Sequence, residues 1–367
     1  MRVPRQLLGL SVFSVLGGLV LGGLPGCGDG DAGVPVTRGA PDIATTEVPV
    51  AGFQFLETQY TVPGTGAVRT LRLNVWYATS DETGMLTRFN AVSRDENSFL
   101  DATVRVPSGR APLLVYSHGD GAWGGANHSL SRQAVRNGWI VVAPDHQGLT
   151  LMDPTDPRPF DSPVVRAYDL QATIDFMANL PTDHPLAGHV ETERVLVAGH
   201  SLGGETAWIM GGPDFDLETI EARCAPDCVQ AELDAFAMYE PDPRVVGVVS
   251  LDGGLSTGLV ADEGFAAMTA PVFWLSQPDV ASNAELFARS AGADVTWVQL
   301  AGGCHNSFTG ILGCSTLPLD TSLAITATYT LAFGIHTVLR SDDPAVLAIL
   351  DGTTEVDPVV TLMHHAP

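Results

Sequence analysis

The order of apolar runs in the chain predicts an α/β architecture, a mainly parallel central sheet with helices on both faces. Leu113-Leu114-Val115-Tyr116, Ile140-Val141-Val142-Ala143, Val195-Leu196-Val197-Ala198, 245–251 and 272–276 carry no charge and have the unbroken hydrophobicity of strands buried on both faces. Stretches of helical periodicity at 129–137 and 165–180 alternate with them. The third run passes through Gly199-His200-Ser201-Leu202-Gly203 straight into another helix, and the rest of the chain is organised around this strand, turn and helix, 194–210.

Taken from its start, the chain opens on an export signal, 1–27: Arg2 and Arg5 precede an apolar, glycine-bearing run over 7–24 that closes on Leu24-Pro25-Gly26-Cys27. The glycines at 17, 18, 22 and 23 weigh against a permanent membrane helix. The last four residues resemble the lipobox of bacterial lipoproteins, in which the cysteine is acylated and becomes the mature N-terminus, although Pro25 is uncommon in that box. The resemblance implies lipidation at Cys27 and a place on the bacterial cell envelope; plain secretion is the alternative. Residues 28–50, rich in Gly, Asp, Pro and Thr without periodicity, are expected to be a disordered tether. The folded body is then a single domain, 51–367, starting near Ala51.

A content of 45% hydrophobic and 16% charged residues supports a substantial core. The net charge of −24 excludes nucleic acid and anionic lipid surfaces as partners of the body, so membrane contact is expected only through the N-terminal lipid. All 18 basic residues are arginine, which removes lysine-dependent Schiff-base and Walker-loop chemistry. Besides Cys27, the cysteines are Cys224, Cys228, Cys304 and Cys314. Of the three possible pairings, the two local ones, Cys224–Cys228 and Cys304–Cys314, are preferred because each closes a short loop. No cluster of ligands at metal spacing accompanies them or His128 and His146, so neither a metal nor a cofactor is expected.

Among the remaining elements, 69–77 (RTLRLNVWY) alternates as an opening antiparallel strand, and 113–117 ends in His118-Gly119-Asp120-Gly121. Four prolines stiffen a loop over 152–163, which either walls a cleft or is a solvent-exposed connection. The acidic stretch at about 211–243 reads as an excursion over the sheet edge able to form a small cap. A helical pattern over 321–350 closes the body, and His364 and His365 are expected in a frayed terminus.

The glycine-flanked Ser201 fits a nucleophile elbow, a strand-to-helix turn that lifts a serine hydroxyl above the sheet over the positive end of a helix. A serine needs an imidazole to take its proton and a carboxylate to orient that imidazole, and in the α/β-hydrolase fold these follow the serine as acid, then histidine. His305, on the glycine loop after the strand-like run 295–300, is the candidate base; His336 lies in an apolar helix pattern. Two aspartates stand at strand ends as candidate acids, Asp252 and Asp279. The oxyanion requires backbone donors, one of them the amide of Leu202. Trp123, Trp208 and Phe308 are candidates for lining a pocket, with a core role at least as natural for Trp208.

Four segments, LLVYSHGDGAW (113–123), GHSLGG (199–204), VVSLDGG (248–254) and CHNSF (304–308), together resemble the platelet-activating-factor acetylhydrolase type of α/β-hydrolase and its dienelactone-hydrolase-like bacterial relatives. The early strand RTLRLNVWYA does so as well. The resemblance implies Asp252 as the acid and the Asp120 amide as the second oxyanion donor, with His118 an architectural residue of that loop. In related cutinase-like polyester hydrolases the acid lies one strand later, which corresponds to Asp279. The expectation is therefore a serine esterase that cleaves carboxylic esters, phospholipid or short acyl esters among them. Its alternatives are a polyester or cutinase-like hydrolase and, from another class, a non-catalytic surface-binding lipoprotein. The residues leave oligomeric state and acyl chain length open.

Overall fold

Each predicted apolar run lies in a strand of one sheet. The computed structural model describes residues 33–226, 229–278, 280–311 and 316–367. Among them the strands are β1 (Ala51–Thr61), β2 (Val68–Tyr77), β3 (Met85–Arg88), β4 (Arg94–Leu100), β5 (Ala111–Ser117), β6 (Ile140–Asp145), β7 (Leu149–Thr150), β8 (Asp153–Pro154), β9 (Val190–His200), β10 (Val245–Leu251), β11 (Val272–Ser276), β12 (Val295–Leu300) and β13 (Val360–His365). The helices are α1 (His128–Arg136), α2 (Ser162–Ala178), α3 (Leu202–Met210), α4 (Leu217–Cys224), α5 (Gln230–Ala237), α6 (Ala281–Arg289), α7 (Leu319–Thr337) and α8 (Pro344–Leu350).

The main sheet runs β13-β12-β11-β10-β9-β5-β6-β2-β1-β4-β3, with β7 and β8 forming a separate pair. From β12 to β6 all neighbours are parallel. β2 is antiparallel to β6 and to β1, and β13 is antiparallel to β12. Successive side chains of the central strands enter opposite cores, as the pleat requires. Leu113, Val115, Val195 and Val197 pack with α2 and α3 on one face; Leu114, Tyr116, Leu196 and Ala198 pack with α1 and α7 on the other. Helices covering both faces explain why these strands carry no polar alternation. The parallel strands bring Ser117, His200, Leu251 and Leu300 to one edge of the sheet, the carboxyl edge where open α/β sheets place their sites.

Two expectations are corrected. From Gly33 the chain is not a tether but part of the compact unit Gly33–Pro367. Its polar backbone is satisfied by α1: the amides of Thr37, Asp42 and Ala44 donate to Asn137 O, Asn137 Oδ1 and Gln133 Oε1, and Asn137 Nδ2 donates back to Asp42 O. A segment without apolar periodicity can still be ordered when side chains elsewhere supply its hydrogen bonds. The terminus is not frayed either, since β13 extends the sheet edge, His364 Nε2 lies 3.0 Å from Asp294 Oδ1 and the His365 ring packs on Phe287 at 4.4 Å. The excursion over 211–243 rests both on α2, where the Tyr168 hydroxyl donates to Ala235 O at 3.0 Å and Tyr239 packs edge-on to Tyr168, and on the loop after β10, where the Asp216 amide donates to Leu259 O at 2.9 Å.

Asn137 is fully buried and joins the docked segment to the end of α1. Asn137→Ala removes two half-buried hydrogen bonds to the Asp42 backbone and is expected to cost about 1–3 kcal/mol in denaturant unfolding; an unchanged midpoint would show that the segment contributes nothing to the fold.

Candidate active site

Ser201 joins β9 to α3 with φ 56° and ψ −121°, a backbone region that side-chain-bearing residues avoid. The elbow is pinned on both sides. The Ser201 amide donates to Leu251 O of β10 at 2.9 Å, while a Cβ on Gly203 would fall on the Ser117 carbonyl oxygen of β5. Glycine at that position is thus what allows α3 to start against the end of β5. Leu202 is the first residue of α3, at the helix end where amides have no partner within the helix.

The neighbouring strand ends supply the other two groups. Asp252 follows β10 at φ 48°, and its side chain is only 4% exposed. Its Oδ2 lies 2.6 Å from His305 Nδ1, so the carboxylate accepts the imidazole N–H. Gln277, at the end of β11, donates both its backbone amide and its side-chain Nε2 to the same carboxylate, each at 2.9 Å. The sequence reading missed Gln277; its position one residue past a buried strand was the available signal. His305 opens a short 3-10 turn, His305–Phe308, closed by the Cys304 amide donating to Ser307 Oγ at 2.9 Å and anchored by the fully buried Phe308.

The His200 ring packs on the His305 ring at 4.6 Å, and its Nε2–H donates to His305 O at 2.7 Å, so the residue before the serine holds the histidine loop. The structure thus brings Ser201, Asp252 and His305 to one edge, and it joins the last two directly. Among the described residues no hydrogen bond joins the Ser201 hydroxyl to His305, a contact that in unliganded enzymes often tightens only with substrate. Gly119 lies against the serine: a Cβ there would meet Ser201 Cβ at 3.3 Å. Asp120 is exposed, and its carboxylate pairs with Arg158 at 3.0 Å. Asp279 and Cys27 lie outside the described residues, as does one member of each expected disulfide, Cys228 for Cys224 and Cys314 for Cys304.

Of the three aromatic candidates, Trp208 takes the core role and Phe308 does not line a pocket. Trp208 and Phe308 are fully buried in the two cores rather than lining a cleft, while Trp123 is half-buried. Trp208 points into the sheet because helix periodicity turns it away from the elbow, against Trp274 at 5.9 Å.

A second Ser, His and Asp set lies beneath the loop after β5. His146 Nδ1–H donates to Asp169 Oδ2 at 2.8 Å, and its Nε2 accepts from the Ser117 hydroxyl at 2.9 Å. Asp169 also accepts two bonds from Arg69, both at 2.7 Å, and one from the Tyr60 hydroxyl at 2.6 Å. The buried Arg166 donates to Ser117 Oγ and Thr206 Oγ1, at 3.0 and 3.1 Å, and to the His118 carbonyl. Ser117, His146 and Asp169 are each 0% exposed, so no substrate reaches this serine. Burial, then the Arg166 charge, pushes His146 down to about 3, and burial pushes Arg166 down to about 9. Burial alone would raise Asp169, but the His146 and Arg69 hydrogen bonds overturn it and bring the carboxyl to about 2. Burial also holds His118 well below its ordinary value and His200 at about 4.

No protein-family model matches the chain, and no curated protein does. Among solved structures, the ferulic acid esterase from Streptomyces cinnamoneus is similar at a TM-score of 0.63 and 19% identity, over 89% of this chain and 99% of that one. At that identity the likeness is one of fold, and the fold class is therefore shared with that esterase. The resemblance to the platelet-activating-factor acetylhydrolase type rests on the motifs alone.

The buried histidines give the fold an acid limit. His118, His146 and His200 take up protons in the unfolded chain near 6.5 but in the folded protein only far lower, so the unfolded state binds more protons across that window and stability falls as pH drops. Each contributes a slope of at most about 1.4 kcal/mol per pH unit. Asp169 adds to the loss below its ordinary value, while Asp161, raised to about 6 by burial and Glu232, and Glu205, raised by burial, act in the opposite sense. Urea unfolding is expected to show stability declining between pH about 6.5 and about 4; a flat profile would contradict the buried neutral histidines.

Proposed function

We propose that the protein is an exported, lipid-tethered serine hydrolase that cleaves carboxylic esters. The observation that carries this reading is the 2.6 Å pairing of His305 Nδ1 with the buried Asp252 carboxylate, beside a serine held in the elbow conformation. Asp252 holds the imidazole with its Nε2 lone pair free, and His305 takes the Ser201 proton as the hydroxyl adds to the ester carbonyl. The Leu202 and Asp120 amides receive the oxyanion, His305 then protonates the leaving alcohol, and water releases the acyl group by the same steps. Gln277 aims the carboxylate through two further hydrogen bonds. The lipobox-like end of the export signal is what supports the tether at Cys27.

The His305 side chain is 47% exposed, and this openness favours a second reading in which the ester belongs to a bulky or polymeric substrate, as in the cutinase-like alternative. Feruloyl esters belong in the same test because the structural neighbour is a ferulic acid esterase.

Hydrolysis of p-nitrophenyl esters from acetate to long chain, of a feruloyl ester and of a polyester film separates these substrates. Ser201→Ala is expected to abolish turnover and labelling by a fluorophosphonate, and a folded wild-type protein that neither turns over any ester nor takes the label would instead support the non-catalytic binding reading. Asp252→Asn presents the wrong imidazole tautomer and is expected to lower kcat by about 10⁴-fold with the fold retained; activity near wild type would remove Asp252 from the mechanism.

A further inference from the structure

We propose that a cavity which the ester-hydrolase reading does not use binds a small organic cation, an ammonium group on a short apolar body, with Asp161 and Glu232 receiving its charge.

The cavity has a volume of about 270 Å³ and lies where the turn between β1 and β2, the β7–β8 pair and the first turns of α2 and α5 meet. Val62, Leu149, Pro159 and Val165 give it apolar walls. These walls are held in place. The Val62 amide donates to Ala67 O at 2.9 Å across the turn, a Cβ on Gly64 would fall on the Ala235 amide nitrogen of α5, and the Thr155 amide donates to Gly148 O at 2.7 Å.

The charge inside is unbalanced. Asp161 stands at the N-cap of α2, where an aspartate ordinarily accepts from the helix amides, yet its side chain makes no such bond. The residue is 7% exposed and lines the cavity, and among the described residues only its own backbone amide donates to the carboxylate. Glu232 reaches the same cavity, and burial followed by this like charge raises Asp161 to about 6. Arg69 is the cation in the wall, but its Nε and Nη2 are spent on Asp169, both at 2.7 Å, and Nη2 also on Gln147 O. Two carboxylates thus face an apolar hollow while the arginine beside them is neutralised by a third. A buried carboxylate without a partner costs free energy that a bound cation offsets. Calcium takes about six to eight oxygen ligands, which apolar walls do not supply, so the chemistry of the lining selects an organic ammonium.

Calorimetric titration with butylammonium, butanol and butyrate, alike in size and different in charge, tests the site. At neutral pH butylammonium is expected to bind at least about tenfold tighter than butanol, and butyrate not at all. Asp161→Asn is expected to weaken butylammonium by about tenfold or more and Glu232→Gln by several-fold, whereas Glu57→Gln, which removes an exposed acid outside the cavity, leaves it unchanged. Asp161→Asn is also expected to raise the urea midpoint of the free protein at neutral pH, because a carboxyl raised on folding loses stability once it ionises; a lower midpoint would assign Asp161 a purely structural role and overturn the proposal. Equal affinity for butanol, no binding of butylammonium, or wild-type affinity in Asp161→Asn overturns it as well. Calcium binding that Asp161→Asn removes, without butylammonium binding, overturns it in favour of a metal. Should Asp161→Asn fail to fold, Glu232→Gln decides, and wild-type affinity there overturns the proposal. None of these readouts uses ester turnover, so they are independent of Ser201.

Discussion

The backbone of Ser201 is the constraint on which the candidate site at the carboxyl edge of the sheet depends. Holding a serine at φ 56° and ψ −121° costs about 1–3 kcal/mol, and it persists because its surroundings leave no alternative. β9 is buried on both faces and cannot slide, and α3 must lay Trp208 and Ile209 into the core on one side of the sheet. The turn between them therefore has to reverse within a few residues. Its amide is taken by Leu251, Gly203 abuts the end of β5, and Gly253 abuts the Ser201 carbonyl. The same contacts bring Gly119 against the Ser201 side chain and Gly253, the residue after Asp252, against its carbonyl.

Beneath this edge the chain buries a cation, and the choice of arginine has a physical basis. Arg166 reaches Ser117 and Thr206 side chains and the His118 carbonyl at once from one planar fork, a geometry that an ammonium on a flexible stem does not pre-organise. Asp169 balances it through His146 and is itself held by Arg69. Such a network stabilises little in net terms, since desolvating its charges offsets their attraction. Its effect is to fix the relative positions of β5, β6, α2 and α3. The described residues thus hold two Ser, His and Asp sets, in each of which the histidine Nδ1 pairs with the aspartate; only the Ser117 hydroxyl bonds its histidine, and the Ser117 set is sealed, while the His305 side chain stands half in solvent.

The central strands were legible because a strand covered on both faces has no polar alternation to confuse with a loop, as in Val195-Leu196-Val197-Ala198. Ser201 and His305 were legible because turn chemistry and chain order constrain them locally. The docking of 33–50 was not legible, since its partners, Gln133 and Asn137, are some 90 residues away (|i−j| of 89 and 95) and leave no periodic trace in the segment. His146 showed no role for the same reason: Asp169 and Ser117 lie 23 and 29 residues from it. Trp208 was ambiguous because helix phase, not identity, decides whether a tryptophan faces core or cleft.

By itself the sequence determined the alternation of strand and helix, the elbow at Ser201 and the loop that presents His305, all of which follow from patterns a few residues long. Only the tertiary structure decided that Asp252 faces His305, that Gln277 completes its carboxylate's hydrogen bonds, and that one Ser, His and Asp set is sealed while the other edge is open. Those outcomes depend on which strand ends become neighbours and on what covers them, and contacts between residues distant in the chain are set by packing rather than by local pattern.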